Sequence, residues 1–137
     1  MVGPSLSVGA IVVDDDRLLL VRRAHAPAAG TWAVPGGRVE AGETLAEAVT
    51  RELREETGME GVCGPLIGWT ELVPDSDVEH HLVILDFEVS LLDAAEPVAA
   101  SDALDARWVP VGDVAEMRLA PGLAEFLHDH GIIPTFA

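Results

Sequence analysis

GRVEAGETLAEAVTRELREETGM, from Gly37 to Met59, is the stretch of this chain that decides its fold. Thr44 followed three residues later by Glu47 has the form of a capping box, which begins a helix. Gly58 stands where a left-handed residue would end that helix. Between these signals, apolar residues recur at helical spacing: Leu45, Ala46, Ala48, Val49 and Leu53. The stretch therefore predicts a helix with one buried face.

Three carboxylates, Glu52, Glu55 and Glu56, lie in the last turns of this helix. On a helical wheel, Glu52 lies within about 20° of Leu45, and Glu56 falls between Leu45 and Val49. The residues that point away from this sector are Glu47, Thr50, Arg51 and Arg54. Because a buried carboxylate needs a compensating partner, the cluster indicates a hard cation such as Mg²⁺ or Mn²⁺. A solvated acidic face remains the alternative.

Length and charge limit the classes of function. The chain has 137 residues, which predicts a single domain over residues 1–137. Its net charge of −16 argues against nonspecific nucleic-acid or membrane-surface binding. Cys63 is the only cysteine, so an intrachain disulfide is excluded. With no targeting or membrane-spanning pattern, we expect a cytoplasmic protein.

The rest of the chain alternates between strand and helix patterns. A hairpin is expected from Leu6–Val13 and Arg17–Arg23 across the charged turn Asp14–Asp16. Further strands are predicted at Thr31–Val34, Leu66–Val73, His80–Leu92 and Arg107–Val109, and a terminal helix at Pro121–His130. This order favours a mixed sheet covered on both faces.

The opening stretch matches every fixed position of the Nudix box, and WAVPGG before it is similar to the usual approach to that box. The matching residues are Gly37, Glu43, Arg51, Glu52, Leu53, Glu55, Glu56, Gly58 and Met59. The chain therefore resembles the Nudix hydrolases. The resemblance implies an α/β/α sandwich with a mixed β-sheet and metal-dependent hydrolysis of a pyrophosphate bond.

The resemblance also implies roles for individual residues. The expected metal ligands are Glu52, Glu55, Glu56 and the carbonyl of Gly36, with Mg²⁺ or Mn²⁺ as the cofactor. Members of the family use residues matching Glu43 and Arg51 to orient the loop and the helix electrostatically. They usually add an acidic residue from a later loop, for which Asp102 is the first choice here. The competing acids are Glu96, Asp105 and Glu79.

Contacts to the substrate are less well defined by the sequence. Arg22, Arg23 and Arg38 are candidate phosphate contacts, although each could equally be a surface charge. Aromatic and imidazole groups are available to contact a base or leaving group: Trp32, Trp69, His80, His81 and Phe87. Aromatic residues on strands are more often core residues, so this assignment has a structural alternative.

Several segments resemble the compact ADP-ribose pyrophosphatase-like branch: SVGAIVV, LLLVRRA, GTWAVPGG, EHHLVILDFEV and DALDARWVP. Pro74, 15 residues after Met59, is close to the position of a proline associated with that activity. The implied reaction converts ADP-ribose, a nucleoside diphosphate derivative, to AMP and ribose 5-phosphate. The alternatives are a MutT-like nucleoside triphosphate pyrophosphohydrolase and a non-catalytic module that binds nucleotide sugars. Small members of the family are often dimers, so a homodimer is compatible with this resemblance.

Overall fold

A computed structural model describes residues 3–25, 28–75, 78–93 and 95–134. These described residues form eight strands and two α-helices, with a short 3₁₀ helix at Val114–Glu116. In chain order they are β1 (Ser5–Ile11), β2 (Val13–Asp14), β3 (Arg17–Arg23), β4 (Trp32–Ala33), β5 (Gly36–Arg38), α1 (Leu45–Thr57), β6 (Gly61–Leu72), β7 (Leu82–Leu91), β8 (Ala103–Pro110) and α2 (Leu123–Asp129). Within these described ranges, no helix is long and apolar enough to cross a membrane.

The strands form two four-stranded sheets. The first has the order β5-β1-β7-β6 and is mixed, since β1 and β7 are parallel while the other pairs are antiparallel. In the second, β3 pairs with β2, β4 and β8. The predicted mixed sheet is confirmed, but it accounts for only half of the strands.

Apolar side chains of β1 and β3 alternate between two buried clusters. Val8, Ala10 and Leu19 pack in the cluster that also holds Val49 and Leu53 of α1. The second cluster receives the side chains that point the other way, and it includes residues from the C-terminal helix: Ile11, Leu18, Leu20, Leu123, Phe126 and Leu127. Because successive side chains of a strand face opposite sides, α1 and α2 cover opposite faces. The predicted α/β/α arrangement is confirmed.

Helix α1 begins and ends where the sequence predicts. The Thr44 side chain accepts a hydrogen bond from the N–H of Glu47, whose side chain in turn accepts from the N–H of Thr44. Gly58 follows the helix with a φ of 73°, and its N–H donates to the carbonyl of Arg54. Both terminal signals in the sequence are therefore used, and they fix the length of the helix.

The predicted hairpin between Leu6–Val13 and Arg17–Arg23 is wrong over most of its length. Only the two residues of β2 pair with β3, across a turn in which Asp15 and Asp16 have positive φ. Strand β1 instead pairs with β5 on one side and β7 on the other. Since both edges of β1 are occupied, β3 has to find its partners in the second sheet.

Candidate active site

The three glutamates of α1 differ in their burial. Only 8% of Glu56 is exposed, and the side chains of Glu52 and Glu55 are 15% and 46% exposed. Glu52 and Glu56 line a cavity of about 560 Å³. Among the described residues, the lining of this cavity does not include Glu55. The prediction that Glu52 and Glu56 face inward is confirmed, whereas Glu55 lies outside the lining.

Two glycines bring the loop before α1 against these carboxylates. The N–H of Gly36 donates to Oε1 of Glu56 at 2.7 Å. A β-carbon on Gly37 would lie 2.6 Å from Oε1 of Glu52, and one on Gly36 would lie 2.1 Å from the carbonyl oxygen of Val8. A side chain at Gly37 would therefore displace the Glu52 carboxylate, and a side chain at Gly36 would displace the backbone of β1.

Arg51 connects the loop to the carboxylates. Its guanidinium donates to both oxygens of Glu43, at 2.5 and 2.9 Å, to Oε1 of Glu52 at 2.9 Å and to Oε2 of Glu55 at 3.2 Å. Although Arg51 points away from the apolar sector of the helix, its side chain is only 14% exposed, because Glu43 of the preceding loop covers it. These contacts lie where an orienting role for Glu43 and Arg51 would require them. That role itself stays a prediction.

Burial and like charge raise the proton affinity of the two cavity glutamates. Burial raises the pKa of Glu56 to about 7, although the Gly36 amide opposes this shift and the charge of nearby Glu52 adds to it. Burial also raises the pKa of Glu52, against the opposing hydrogen bond from Arg51. Glu43 behaves in the opposite way, since its hydrogen bond with Arg51 lowers the pKa to about 2. The cavity thus holds two carboxylates whose charges are incompletely compensated by the protein.

These donors fit a hard divalent cation. Carboxylate and carbonyl oxygens are the ligands that Mg²⁺ and Mn²⁺ prefer, and a cation would relieve the repulsion between Glu52 and Glu56. Over residues 3–25, 28–75, 78–93 and 95–134, no group of three His, Cys, Asp or Glu side chains is already gathered as a metal cluster. A cation held by Glu52 and Glu56 would therefore need further oxygens, for which the Gly36 carbonyl is a predicted source.

The candidate arginines divide into two groups. Arg23 and Arg38 line the cavity together with the glutamates. Arg22 is not among the described lining residues, and its Nε donates to the carbonyl of Gly30 at 3.3 Å. The pairing of β3 with β8 shifts register between Arg22 and Arg23, at the point where the strand reaches the cavity. The structure therefore leaves Arg23 and Arg38 as the arginines placed to contact a ligand there.

Of the four acids considered for the later loop, Asp102 is the one that lines the cavity within the part of the chain described. Its side chain is 75% exposed and lies 3.7 Å from Nε2 of His25. Its charge contributes to the raised pKa of Glu56, after the larger effects of burial and of Glu52. Asp105 instead pairs with Arg107 at 2.8 Å. The position of Asp102 suits the role predicted for it, which stays a prediction.

Most of the aromatic candidates do not reach the cavity. Among the described lining residues only His80 comes from the predicted set, which also contained Trp32, Trp69, His81 and Phe87. Trp32 packs against the second core cluster with the Arg107 guanidinium 5.3 Å from its ring centre, while Phe87 packs against the first. The cavity wall is aliphatic in their place: Leu72, Val78, Leu82, Ile84, Pro121 and Leu123.

Sequence reasoning also missed Asp86, which lines the cavity and is 3% exposed. No hydrogen-bond partner for its Oδ1 occurs among the described residues. Burial raises the pKa of Asp86 to about 6. The signal that could have found it is an acid in the middle of the apolar strand LVILDFEVSL, on the same face as Leu82 and Ile84.

Known proteins resemble this chain over most of its length. A family model described as the NUDIX domain matches residues 3–130. The ADP-ribose pyrophosphatase of Methanocaldococcus jannaschii is 34% identical over 114 residues, which make up 83% of this chain and 66% of that protein. The chain thus spans slightly less than two thirds of the length of this relative.

Solved structures show the same fold. A MutT protein from Methanosarcina mazei Go1 superposes with a TM-score of 0.82 at 27% identity, over 93% of this chain and 94% of that one. A bifunctional NMN adenylyltransferase/ADP ribose pyrophosphatase from Francisella tularensis, solved with AMP and a Mn ion, gives a TM-score of 0.70 at 26% identity. That match covers 95% of this chain and 40% of the bifunctional protein. With the family model covering residues 3–130 and this fold shared, the chain belongs to the NUDIX family, whose hydrolases generally use divalent metal ions.

Proposed function

We propose that this chain hydrolyses the pyrophosphate bond of ADP-ribose to give AMP and ribose 5-phosphate, with Mg²⁺ or Mn²⁺ as the cofactor. The observation that carries the proposal is the position of Glu52 and Glu56 in the wall of one cavity, with Gly36 hydrogen-bonded to Glu56. The 34% identity to an ADP-ribose pyrophosphatase supports the choice of substrate.

The cavity has the size and the division of polarity that a nucleotide requires. Its volume of about 560 Å³ lies within the usual range for small-molecule sites. Most of the charged lining comes from α1, from β5 and from Arg23 and Asp102, while β6 and β7 contribute aliphatic residues, with Asp86 as the charged exception on β7. A diphosphate would lie at the charged end, and a less polar nucleoside or sugar would contact the aliphatic wall.

The cation would be held by the Gly36 carbonyl, Glu52 and Glu56, with Glu55 as an outer ligand. When bound, such a cation neutralises charge on the phosphates and lowers the pKa of water. Arg23 and Arg38 would hold phosphate oxygens through charge-assisted hydrogen bonds. A cation is needed in addition, because the chain carries a net charge of −16 and the cavity itself contains several carboxylates.

Asp102 would accept the proton of the attacking water. It lines the cavity, its charge acts on both Glu52 and Glu56, and its solvent exposure allows the proton to leave for bulk water. Arg51 would act at a distance from the substrate, by fixing the orientation of Glu52 against the loop that carries Gly36 and Gly37. In this proposal Arg51 is a positioning residue.

A MutT-like nucleoside triphosphate pyrophosphohydrolase is the second candidate. It is favoured by the TM-score of 0.82 with the Methanosarcina mazei MutT protein, a match that covers nearly all of both chains. The two candidates differ in where the phosphate chain is cut and in the group attached to it. Their products therefore separate them.

The test is product identification by chromatography after incubation of the purified chain with Mg²⁺ and ADP-ribose, NADH, diadenosine polyphosphates or nucleoside triphosphates. AMP together with ribose 5-phosphate from ADP-ribose supports the proposal. Pyrophosphate with a nucleoside monophosphate, at a higher kcat/KM, supports the MutT-like alternative. Binding of ADP-ribose without turnover in either Mg²⁺ or Mn²⁺ would instead identify a non-catalytic nucleotide-sugar-binding module.

A further inference from the structure

Asp86 occupies the middle of the first sheet, in the wall of the cavity. Its neighbours in register are Gly9 on β1 and Gly68 on β6. A β-carbon on Gly9 would lie 2.0 Å from Oδ1 of Asp86, so the carboxylate lies over the bare backbone of Gly9. Gly9 in turn pairs with Gly36 on β5. The side chain therefore extends from β7 across β1, towards the strand that carries the predicted metal ligand.

The described part of the chain leaves one oxygen of this carboxylate without a partner. Asp86 is 3% exposed, and its Oδ1 has no hydrogen-bond partner in the described part of the chain. Burying a polar group without a partner costs free energy, and buried groups of this kind usually have one. Since the residue lines the cavity, the missing donor is most simply supplied by the molecule that occupies it.

The surroundings of Asp86 restrict what that donor can be. Along β7, the cavity-lining neighbours of Asp86 are the aliphatic residues Leu82 and Ile84. In the other direction lies β5, about two strand spacings away, or roughly 10 Å. A phosphate oxygen would be repelled by the carboxylate, and an aliphatic group would leave it unpaired. A neutral group with hydrogen-bond donors, attached directly to a phosphate, satisfies both restrictions.

We propose that Asp86 accepts a hydrogen bond from a ribose hydroxyl of the bound nucleotide and makes the site prefer ribosyl over 2-deoxyribosyl substrates. This inference rests on the proposed function, because it assumes that a nucleoside diphosphate derivative occupies the cavity. ADP-ribose contains two riboses, that of the adenosine and the terminal one, and either could supply the hydroxyl. Asp86 is in this account a specificity-determining residue that touches the substrate beside the reacting phosphates.

The expected size of the preference follows from the hydrogen bond. A hydrogen bond to a charged group contributes enough to change an affinity by roughly 10-fold to 100-fold. A deoxyribose at this position would leave the carboxylate buried and unpaired, as it is without a ligand. Substitution of Asp86 by Asn, which is nearly isosteric, removes the charge but keeps an oxygen that can accept. The hydrogen bond then has only the strength of one between neutral groups, so the discrimination should become clearly smaller.

The experiment compares wild type, Asp86→Asn and the control Glu88→Gln. Glu88 is two residues further along the same strand, is exposed, and is not among the described residues that line the cavity. Each variant is given ADP-ribose and two analogues, one lacking the 2′-hydroxyl of the adenosine and one lacking the 2-hydroxyl of the terminal ribose. Turnover is measured as kcat/KM, and affinity is measured by calorimetry with methylene-bridged forms that cannot be cleaved.

Wild type and Glu88→Gln should favour ADP-ribose over one of the two analogues by roughly 10-fold to 100-fold, mainly through KM and affinity. The analogue with the lower affinity and the lower kcat/KM identifies which ribose is recognised. In Asp86→Asn, the preference should fall to roughly 3-fold, as expected for a hydrogen bond between neutral groups. Equal affinity of wild type for all three ligands, or no binding of any, overturns the inference. So does an unchanged preference in Asp86→Asn.

Failure of the proposed function gives a different result. If ADP-ribose is bound with the expected preference but is not cleaved, the hydrolase proposal fails and the ribose contact stands. A change in affinity of Asp86→Asn that is equal for all three ligands places the contact elsewhere on the nucleotide, and it overturns the ribose assignment. The wild-type protein must itself discriminate between the three ligands. Its affinities therefore test the ribose contact even if Asp86→Asn does not fold.

Discussion

The amide of Gly36 donates to Oε1 of Glu56 at 2.7 Å, across 20 residues of sequence. This hydrogen bond joins β5 to the last turn of α1 at the wall of the cavity. It holds one carboxylate oxygen in place and leaves the other for a ligand. Since Gly36 is also the predicted source of a carbonyl ligand, one residue would orient a carboxylate with its N–H and contribute its own oxygen to the cation.

The two glycines of this loop should respond differently to alanine. In Gly37→Ala the new β-carbon meets Oε1 of Glu52 at 2.6 Å, at the flexible end of a side chain. Glu52 can move away, so the fold should survive while kcat/KM for ADP-ribose falls by roughly 10-fold or more. In Gly36→Ala the β-carbon meets the carbonyl oxygen of Val8 at 2.1 Å, and backbone has to shift.

Gly36→Ala should therefore lose stability as well as activity. Thermal unfolding and steady-state kinetics measured on both variants check this difference. Gly112→Ala provides the matched control, because a β-carbon there meets nothing within 4 Å. Equal losses of melting temperature in Gly36→Ala and Gly37→Ala would contradict this prediction, because Gly37→Ala is expected to lose activity without losing stability.

Removal of Arg51 should disturb the carboxylates and change the response to acid. In Arg51→Met, Glu43 and Glu52 lose their guanidinium partner. The hydrogen bond with Arg51 lowers the pKa of Glu43 from 4.5 to about 2, so its stabilising effect is present above pH 4.5 and is lost as pH falls through about 2. The wild-type melting temperature should thus fall more steeply in this acid range than that of Arg51→Met.

Arg54→Met is the control for this substitution. Arg54 lies on the same helix, but its side chain is 53% exposed and reaches Glu60 only at 3.9 Å. An exposed pair of this kind contributes little, so this variant should keep the acid response and the activity of wild type. If the melting temperatures of wild type and Arg51→Met fell equally with pH across the acid range, the role given to Arg51 would be contradicted.

Asp86 should make the metal-free protein less stable as pH rises. Burial raises its pKa from 3.8 to about 6, because folding disfavours the charged form relative to the neutral one. Compared with Asp86→Asn, the wild-type protein keeps its full stability below about pH 3.8 and loses stability as pH rises through about 6. In denaturant unfolding with EDTA, wild type should lose about 1 to 3 kcal/mol relative to Asp86→Asn across this range. A difference that is independent of pH would show that Asp86 is not buried as described.

The helix and the inward positions of Glu52 and Glu56 were predictable from sequence because their signals are local. The capping box, the terminal glycine and the wheel positions of Glu52 and Glu56 depend only on residues within a few turns. The hairpin prediction failed for the opposite reason, since the partners of β1 are β5 and β7, and β7 begins more than 70 residues later. Local patterns do not contain that information.

Long-range packing explains what the local signals at the site do not show. The wheel places Arg51 away from the apolar stripe, and Glu43 from the preceding loop covers that side of the helix and binds the guanidinium. Trp32 is a candidate for base stacking by sequence, but it packs against the second core cluster with Arg107 of β8 against its ring. Asp86 is one acid in an apolar strand, and the pairing of β7 with β1 places it beside Gly9 in the cavity wall.

Divalent metal should stabilise the folded chain through the buried glutamates. A ligand present at about 100 times its Kd adds roughly 3 kcal/mol of stability. Mg²⁺ should therefore raise the melting temperature of wild type by several degrees, and Glu52→Gln or Glu56→Gln should abolish this increase. Glu55→Gln should reduce it less, because Glu55 lies outside the described lining of the cavity. An equal increase in all three variants would contradict the proposed ligand set.

The most direct test of the central claim is kcat/KM for ADP-ribose in the presence of Mg²⁺, measured for wild type and Glu56→Gln. The amide oxygen of the substituted side chain can still accept the N–H of Gly36, so the variant should stay folded, with a melting temperature without metal at or above that of wild type. We predict that wild type releases AMP and ribose 5-phosphate and that Glu56→Gln is slower by roughly 1,000-fold or more. Near-normal turnover by Glu56→Gln, or no turnover of ADP-ribose by wild type, would contradict the account.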